Sequence, residues 1–162
     1  MDVLRTASLL LATLSTGLMA GVFGLYAHTI MPGLGKTDDK TFVGAFASID
    51  RAIINPWFLG GGFLGALVAT VVATLSHLGR SNLGWVAGAL ALYLITFVIT
   101  VVVHLPLNDA LKAAGNPDRI ADLASVRERF DEARWRNWNV VRAWTSTAAF
   151  AILCWTLVLH SR

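Results

Sequence analysis

Long uncharged apolar runs constrain this chain more than any other feature. Ala7 to Ala27 carries no charged residue, and neither does Leu83 to Val103. Trp57 to Leu78 has only His77 near its end, and Ala143 to Leu159 is lengthened by Val140 and Val141. A helix crosses the hydrocarbon core of a bilayer with about 20 apolar residues. Inside that core every backbone amide needs a partner within its own segment, and a helix provides this. The four runs are therefore read as membrane spans, about 7–27, 57–78, 83–103 and 140–159. Composition agrees, since only 14% of residues are charged, against roughly a quarter in soluble domains. The first run follows Arg5, as a signal peptide would, but it is long for one and no A-x-A cleavage site follows.

The connections are unequal. Spans two and three are joined by the tight turn Gly79 to Asn82, whereas His28–Pro56 and His104–Asn139 are long. With four spans, both long loops emerge on one side and the termini on the other. Ten of the 13 lysines and arginines fall on the long-loop side. The positive-inside rule then places these loops in the cytoplasm and the chain in the cell inner membrane. The basic residues are interspersed with carboxylates and accompany no nucleic-acid motif, so nucleic acid is excluded as a partner. A single cysteine, Cys154, allows neither an internal disulfide nor a CxxC metal pair.

The loops have helical patterning of their own. Phe42, Phe46, Ile49 and Ile53 share one face of a segment over 38–54, with Asp38 or Asp39 as its cap. A second polar helix is expected over 119–139, continuous with span four, after the turn Gly115-Asn116-Pro117. Pro106 is expected to stop the third span near the interface. The expected architecture is a single all-α domain over 1–162. It consists of four transmembrane helices in a bundle, with a short helical cap on one membrane side.

Spacing within the spans points to a site. Tyr93, Thr96 or Phe97, Thr100, His104 and Asn108 recur at helical intervals, a polar stripe that must face the bundle interior. In span one, Gly17, Gly21, Gly24 and His28 recur likewise, allowing close helix approach or a homo-oligomer. At the start of span four, Trp135, Trp138, Asn139 and Arg142 crowd one helical face. An aromatic belt with a snorkelling arginine is the simpler account of the tryptophans, but it needs no Asn139.

The motifs Met31-Pro32-Gly33-Leu34, Asn55-Pro56-Trp57-Phe58, Pro106-Leu107-Asn108-Asp109 and Trp138-Asn139 with Arg142 run in order along nearly the whole chain. In these motifs the chain resembles the small integral membrane proteins related to fungal anthrone oxygenases. The resemblance implies a four-helix membrane fold and oxygen insertion at the activated methylene of a polycyclic anthrone, giving an anthraquinone.

Two chemistries are open at this face. In a cofactor-free route, His104 or His28 takes a proton, Asn108, Asn139 and Arg142 support the developing oxyanion, and Trp135 and Trp138 clamp a flat substrate. Tyr26 and Asn55 complete the expected substrate-binding set. Alternatively His28, His104 and Asp50 hold a single iron or copper ion, two imidazoles and a carboxylate being a recognised ligand set. The functional expectation is a membrane-embedded oxygenase acting with O2 on a hydrophobic aromatic or polycyclic molecule. The competing reading is a non-catalytic accessory or a metal- or ligand-binding subunit. The expected partners are the lipid bilayer and that hydrophobic small molecule.

Overall fold

The structure, a computed structural model, describes residues 2–160. Arg162, counted above on the terminal side, lies outside them. Among the described residues four helical stretches are long and apolar enough to cross a membrane: Val3–Leu34, Trp57–Ser76, Leu83–Ala113 and Leu123–Leu159, the last interrupted at Asp131. They pack in a ring in which the first span contacts the second and fourth, and the third contacts the same two. The fold is all-α among the described residues, a four-helix bundle with a helical cap, as the apolar runs required.

Two apolar cores fill it. One lies within the bundle and centres on Leu9, Met19, Phe63, Tyr93, Ala149 and Leu153. The other lies under the cap and gathers Met31, Phe42, Phe46, Leu111, Phe130 and Trp135. Phe46 and Phe130 meet at 4.6 Å between ring centroids, and Phe46 meets Trp135 edge-on at 5.6 Å. The cap helix Asp39–Ile53 begins at Asp38, whose carboxylate accepts from the Thr41 amide and hydroxyl. Those bonds, the hydroxyl's foremost, hold the Asp38 carboxyl below its ordinary range. Arg127 closes the cap from above: it donates to the carbonyls of Gly35 and Thr37, pairs with Asp39 and Glu132, and lies over the Phe42 ring.

Three expectations are corrected. The first span does not end near Ala27 but runs on to Leu34. The third does not stop at Pro106 but continues to Ala113. The segment 119–139 is not one helix, because it breaks at Asp131, where the backbone turns left-handed with φ 52°. The Asp131 carboxylate then accepts from the Arg134 amide, and a second helix, Glu132–His160, starts there. Pro106 is tolerated because it follows a π-helical turn, Thr100–His104, in which the ordinary bonding ladder is already rearranged.

π-Helical segments recur on this side of the bundle. Tyr26–Ile30 in the first span and Trp57–Phe63 in the second join Thr100–His104 in the third. Each has a nearby carbonyl engaged by a side chain. Phe23 O accepts from Asn139, Phe63 O from Tyr93, and Ile99 O faces His104 Nδ1. Side chains inserting into the backbone ladder are a recognised cause of such segments, which are concentrated at functional sites.

Candidate functional site

A pocket of about 290 Å³ lies among the three π-helical segments, where the membrane core meets the cap core. That volume is near the lower end for small-molecule sites. Its wall is mostly apolar, with Phe23, Phe46, Phe58, Phe63, Phe97 and Trp135 among its rings. Set into that wall are Tyr26, Asp50, Thr100, His104, Asn108 and Arg142.

The polar groups form two networks. In the first, the Trp135 indole N–H donates to Asn108 Oδ1 at 2.8 Å, and Asn108 Nδ2 donates to Asp50 Oδ1 at 2.6 Å. An indole can only donate and a carboxylate only accept, so these partners fix which way the amide points. Lys112 Nζ completes the chain at 2.7 Å from Asp50 Oδ2, and also pairs with the exposed Asp109 at 3.1 Å. Asn108 and Lys112 are one helical turn apart, so the third span's polar stripe extends into the cap.

The second network is built on Arg142. Its Nη2 donates to Asn139 Oδ1 at 2.7 Å, and its Nη1 to Thr100 Oγ1 at 3.1 Å. Asn139 Nδ2 donates in turn to the Phe23 carbonyl at 3.0 Å. The guanidinium lies 4.4 Å from the Phe23 ring centre and 5.6 Å from that of Trp135. Every one of these partners is neutral. Nε has none, and Arg142 is only 6% exposed. A buried cation normally takes a carboxylate partner, because desolvating an unpaired charge is costly. Here no ion pair with Arg142 is found among the described residues.

His104 is 1% exposed and stands edge-on to the Trp135 indole, 4.8 Å between centroids. Its Nε2 lies 3.2 Å from Trp135 O and its Nδ1 3.4 Å from Ile99 O. Both nitrogens thus point at backbone carbonyls, and neither offers a free lone pair to the pocket.

The structure therefore brings together Tyr26, Asp50, His104, Asn108, Trp135 and Arg142 on one pocket, with Asn139 fully buried directly behind Arg142. It does not bring in the other three. His28 is exposed, and its Nδ1 bonds the neighbouring Thr29 hydroxyl at 2.6 Å. Trp138 faces outward at 41% exposure, as a belt residue does. Asn55 caps the second span, with Oδ1 accepting from the Phe58 amide and Nδ2 donating to Ala52 O and Ile53 O. The expected metal set of His28, His104 and Asp50 is consequently not assembled: one histidine points away, the other turns both nitrogens to backbone carbonyls, and the carboxylate is bound by Asn108 and Lys112. Among the described residues no group of three or more His, Cys, Asp or Glu is placed to hold an ion. Lys112 and the phenylalanine wall were missed in the sequence. The spacing from Asn108 could have located Lys112, whereas nothing marks one phenylalanine in an apolar span above another.

Residues 52–152, more than half of the chain, match the family described as anthrone oxygenase. No curated protein and no solved structure matches the chain.

Proposed function

The chain belongs to the anthrone oxygenase family, and from that premise we propose that its pocket binds a flat, hydrophobic aromatic ketone with an activated methylene and supports oxidation of that methylene by O2. The observation that carries this reading is Arg142, a buried guanidinium with only neutral partners on the wall of an apolar pocket. Such a charge is best compensated by a ligand that brings, or develops, a negative oxygen.

The proton balance is simple. Removing one methylene proton leaves a carbanion whose charge delocalises onto the ketone oxygen, opposite Arg142. Oxygen adds at the carbon, the resulting peroxide takes up a proton, and loss of water leaves a second carbonyl. In sum CH2 and O2 become C=O and H2O, with no further reductant. Asp50 is the one carboxylate on the pocket wall, and we assign it the proton. Asn108 and Lys112 hold it in place. His104 positions Trp135 instead of acting as base, because its nitrogens face carbonyls. Tyr26 and Trp135, 5.8 Å apart, provide flat surfaces for the rings. The bilayer supplies such a substrate, and the excess of Lys and Arg on the cap side supports a site at the cytoplasmic face of the inner membrane.

The test uses purified protein in lipid nanodiscs with dihydroxyanthrone, following oxygen uptake and quinone absorbance together. The expected result is matched uptake and product formation above the spontaneous rate, lost in Arg142→Met. Tight binding of the anthrone with no uptake above background would instead support a ligand-binding accessory.

A further inference from the structure

The pocket wall is sharply divided by exposure. Its polar side is closed: Arg142 is 6% exposed, Asp50 and Asn108 8% each, and His104 1%. The exposed lining residues are all apolar, with Ile54 at 53%, Leu64 at 44%, Val101 at 43% and Leu105 at 42%. Leu64 belongs to the second span, Val101 and Leu105 to the third, and Ile54 to the end of the cap helix. A rim of this composition facing water would expose apolar area at about 25 cal/mol per Å². Facing acyl chains, it carries no such penalty. Leu64 also lies about two helical turns beyond Trp57, whose 61% exposure suits the headgroup level.

The rim exists because two spans part there. Towards mid-membrane the second and third spans pack directly, and Phe63 stacks on Phe97 at 5.4 Å to floor the pocket. On the cap side their π-helical segments both line the pocket.

We infer that the pocket opens sideways into the bilayer between the second and third spans, and that its ligand is a membrane-dissolved aromatic held with its oxygen at Arg142 and its apolar edge against lipid at Val101 and Leu64. The inference rests on the ligand class proposed above but makes no use of turnover. It assigns a specificity role to residues outside the polar networks. Alkyl substituents on the ligand edge remote from its oxygen are accommodated, because they project into lipid, whereas a charged group there is excluded.

The experiment measures quenching of β-naphthol, a fluorescent phenol, bound to the intact protein in phosphatidylcholine nanodiscs. The bound signal is the difference between wild-type and Arg142→Met discs. With a doxyl-labelled phosphatidylcholine in the disc, the bound emission should fall severalfold more than with iodide in the water. Quenching by iodide and not by the doxyl lipid overturns the lateral opening, as does a wild-type disc that binds no naphthol. Should Arg142→Met fail to fold, Val101→Trp in a disc with Arg142 intact gives the second reading. Stopped-flow association of naphthol should slow severalfold, and an unchanged rate overturns the proposal. Doxyl quenching without oxygen uptake on dihydroxyanthrone would remove the oxygenase reading and leave the lateral opening standing. Oxygen uptake without doxyl quenching would do the reverse.

Discussion

Asn139 accepts a 2.7 Å hydrogen bond from Arg142 one turn further along the fourth span, and spends its amide N–H on the Phe23 carbonyl of the first. It thus joins two spans and anchors an uncompensated guanidinium with one side chain that is fully buried. Asn139→Leu keeps the branched shape and removes both bonds, stranding a carbonyl and a cation. The expected loss is about 1–3 kcal/mol for each group left unpaired. Thermal unfolding in detergent measures it, and a melting temperature equal to wild type would show that Asn139 carries no such load. Arg142→Lys, in contrast, should fold normally but bind a phenolate more weakly, since an ammonium cannot make the forked contact.

Asp50 is expected to separate binding from turnover. In Asp50→Asn the side-chain carbonyl still accepts from Asn108, and Lys112 keeps its pairing with Asp109. Naphthol affinity should change little. Oxidation of dihydroxyanthrone should fall by about 10²–10⁴, the usual contribution of a positioned base. A variant with wild-type turnover would move the proton to another group.

The reach of sequence reasoning differed from span to span for physical reasons. In the third span polarity marks the interior face, because lipid cannot satisfy a threonine, histidine or asparagine. Tyr93, Thr96, His104 and Asn108 are all buried. In the first span the buried hydroxyls of Ser8, Thr13, Ser15 and Thr16 also lie inward, and the glycine spacing misled. The face that packs inward is Leu9, Ala12, Thr16, Met19 and Phe23. Gly21 has open space around it, and His28 continues that outward face. In the fourth span Trp135, Asn139 and Arg142 were legible as one surface, but Trp138 at its edge turns to lipid. The π-helical segments left no trace that 3.6-residue periodicity could read. They accompany side-chain contacts to backbone carbonyls, between spans from Tyr93 to Phe63 O and within the third from His104 to Ile99 O, and the first and third spans run on through them into the cap.

Gly17 is the one glycine of the first-span stripe that a neighbour requires. A Cβ there would lie 2.7 Å from the Phe150 ring of the fourth span. A ring edge cannot fold away as a flexible chain end can, so Gly17→Ala should destabilise the bundle by about 1–3 kcal/mol. Gly21→Ala, with nothing within 4 Å, should be neutral or gain slightly from helix propensity. Adding Phe150→Leu to Gly17→Ala should recover part of the loss. A double-mutant cycle on thermal melts in detergent reads the coupling, and strictly additive effects would mean that the two side chains do not meet.

His104 is expected to behave as a support for Trp135, and two measurements distinguish this from the chemical roles that its residue type suggests. Its nitrogens face the carbonyls of Trp135 and Ile99, one of them as donor, and its ring edge packs on the indole. His104→Ala should therefore destabilise the protein by roughly 2–4 kcal/mol through the cavity and the freed carbonyls, and alter tryptophan emission. A glutamine at this position can still donate to one carbonyl, so His104→Gln should restore most of the stability. Turnover of dihydroxyanthrone by His104→Gln should stay within about tenfold of wild type, short of the 10²–10⁴ that a missing base removes. Turnover by the unmodified protein should also withstand prolonged treatment with a strong chelator, because no lone pair of His104 faces the pocket to ligate an ion. Loss of activity on chelation, restored by iron or copper, would return His104 to the role of a ligand and require its ring to turn from both carbonyls.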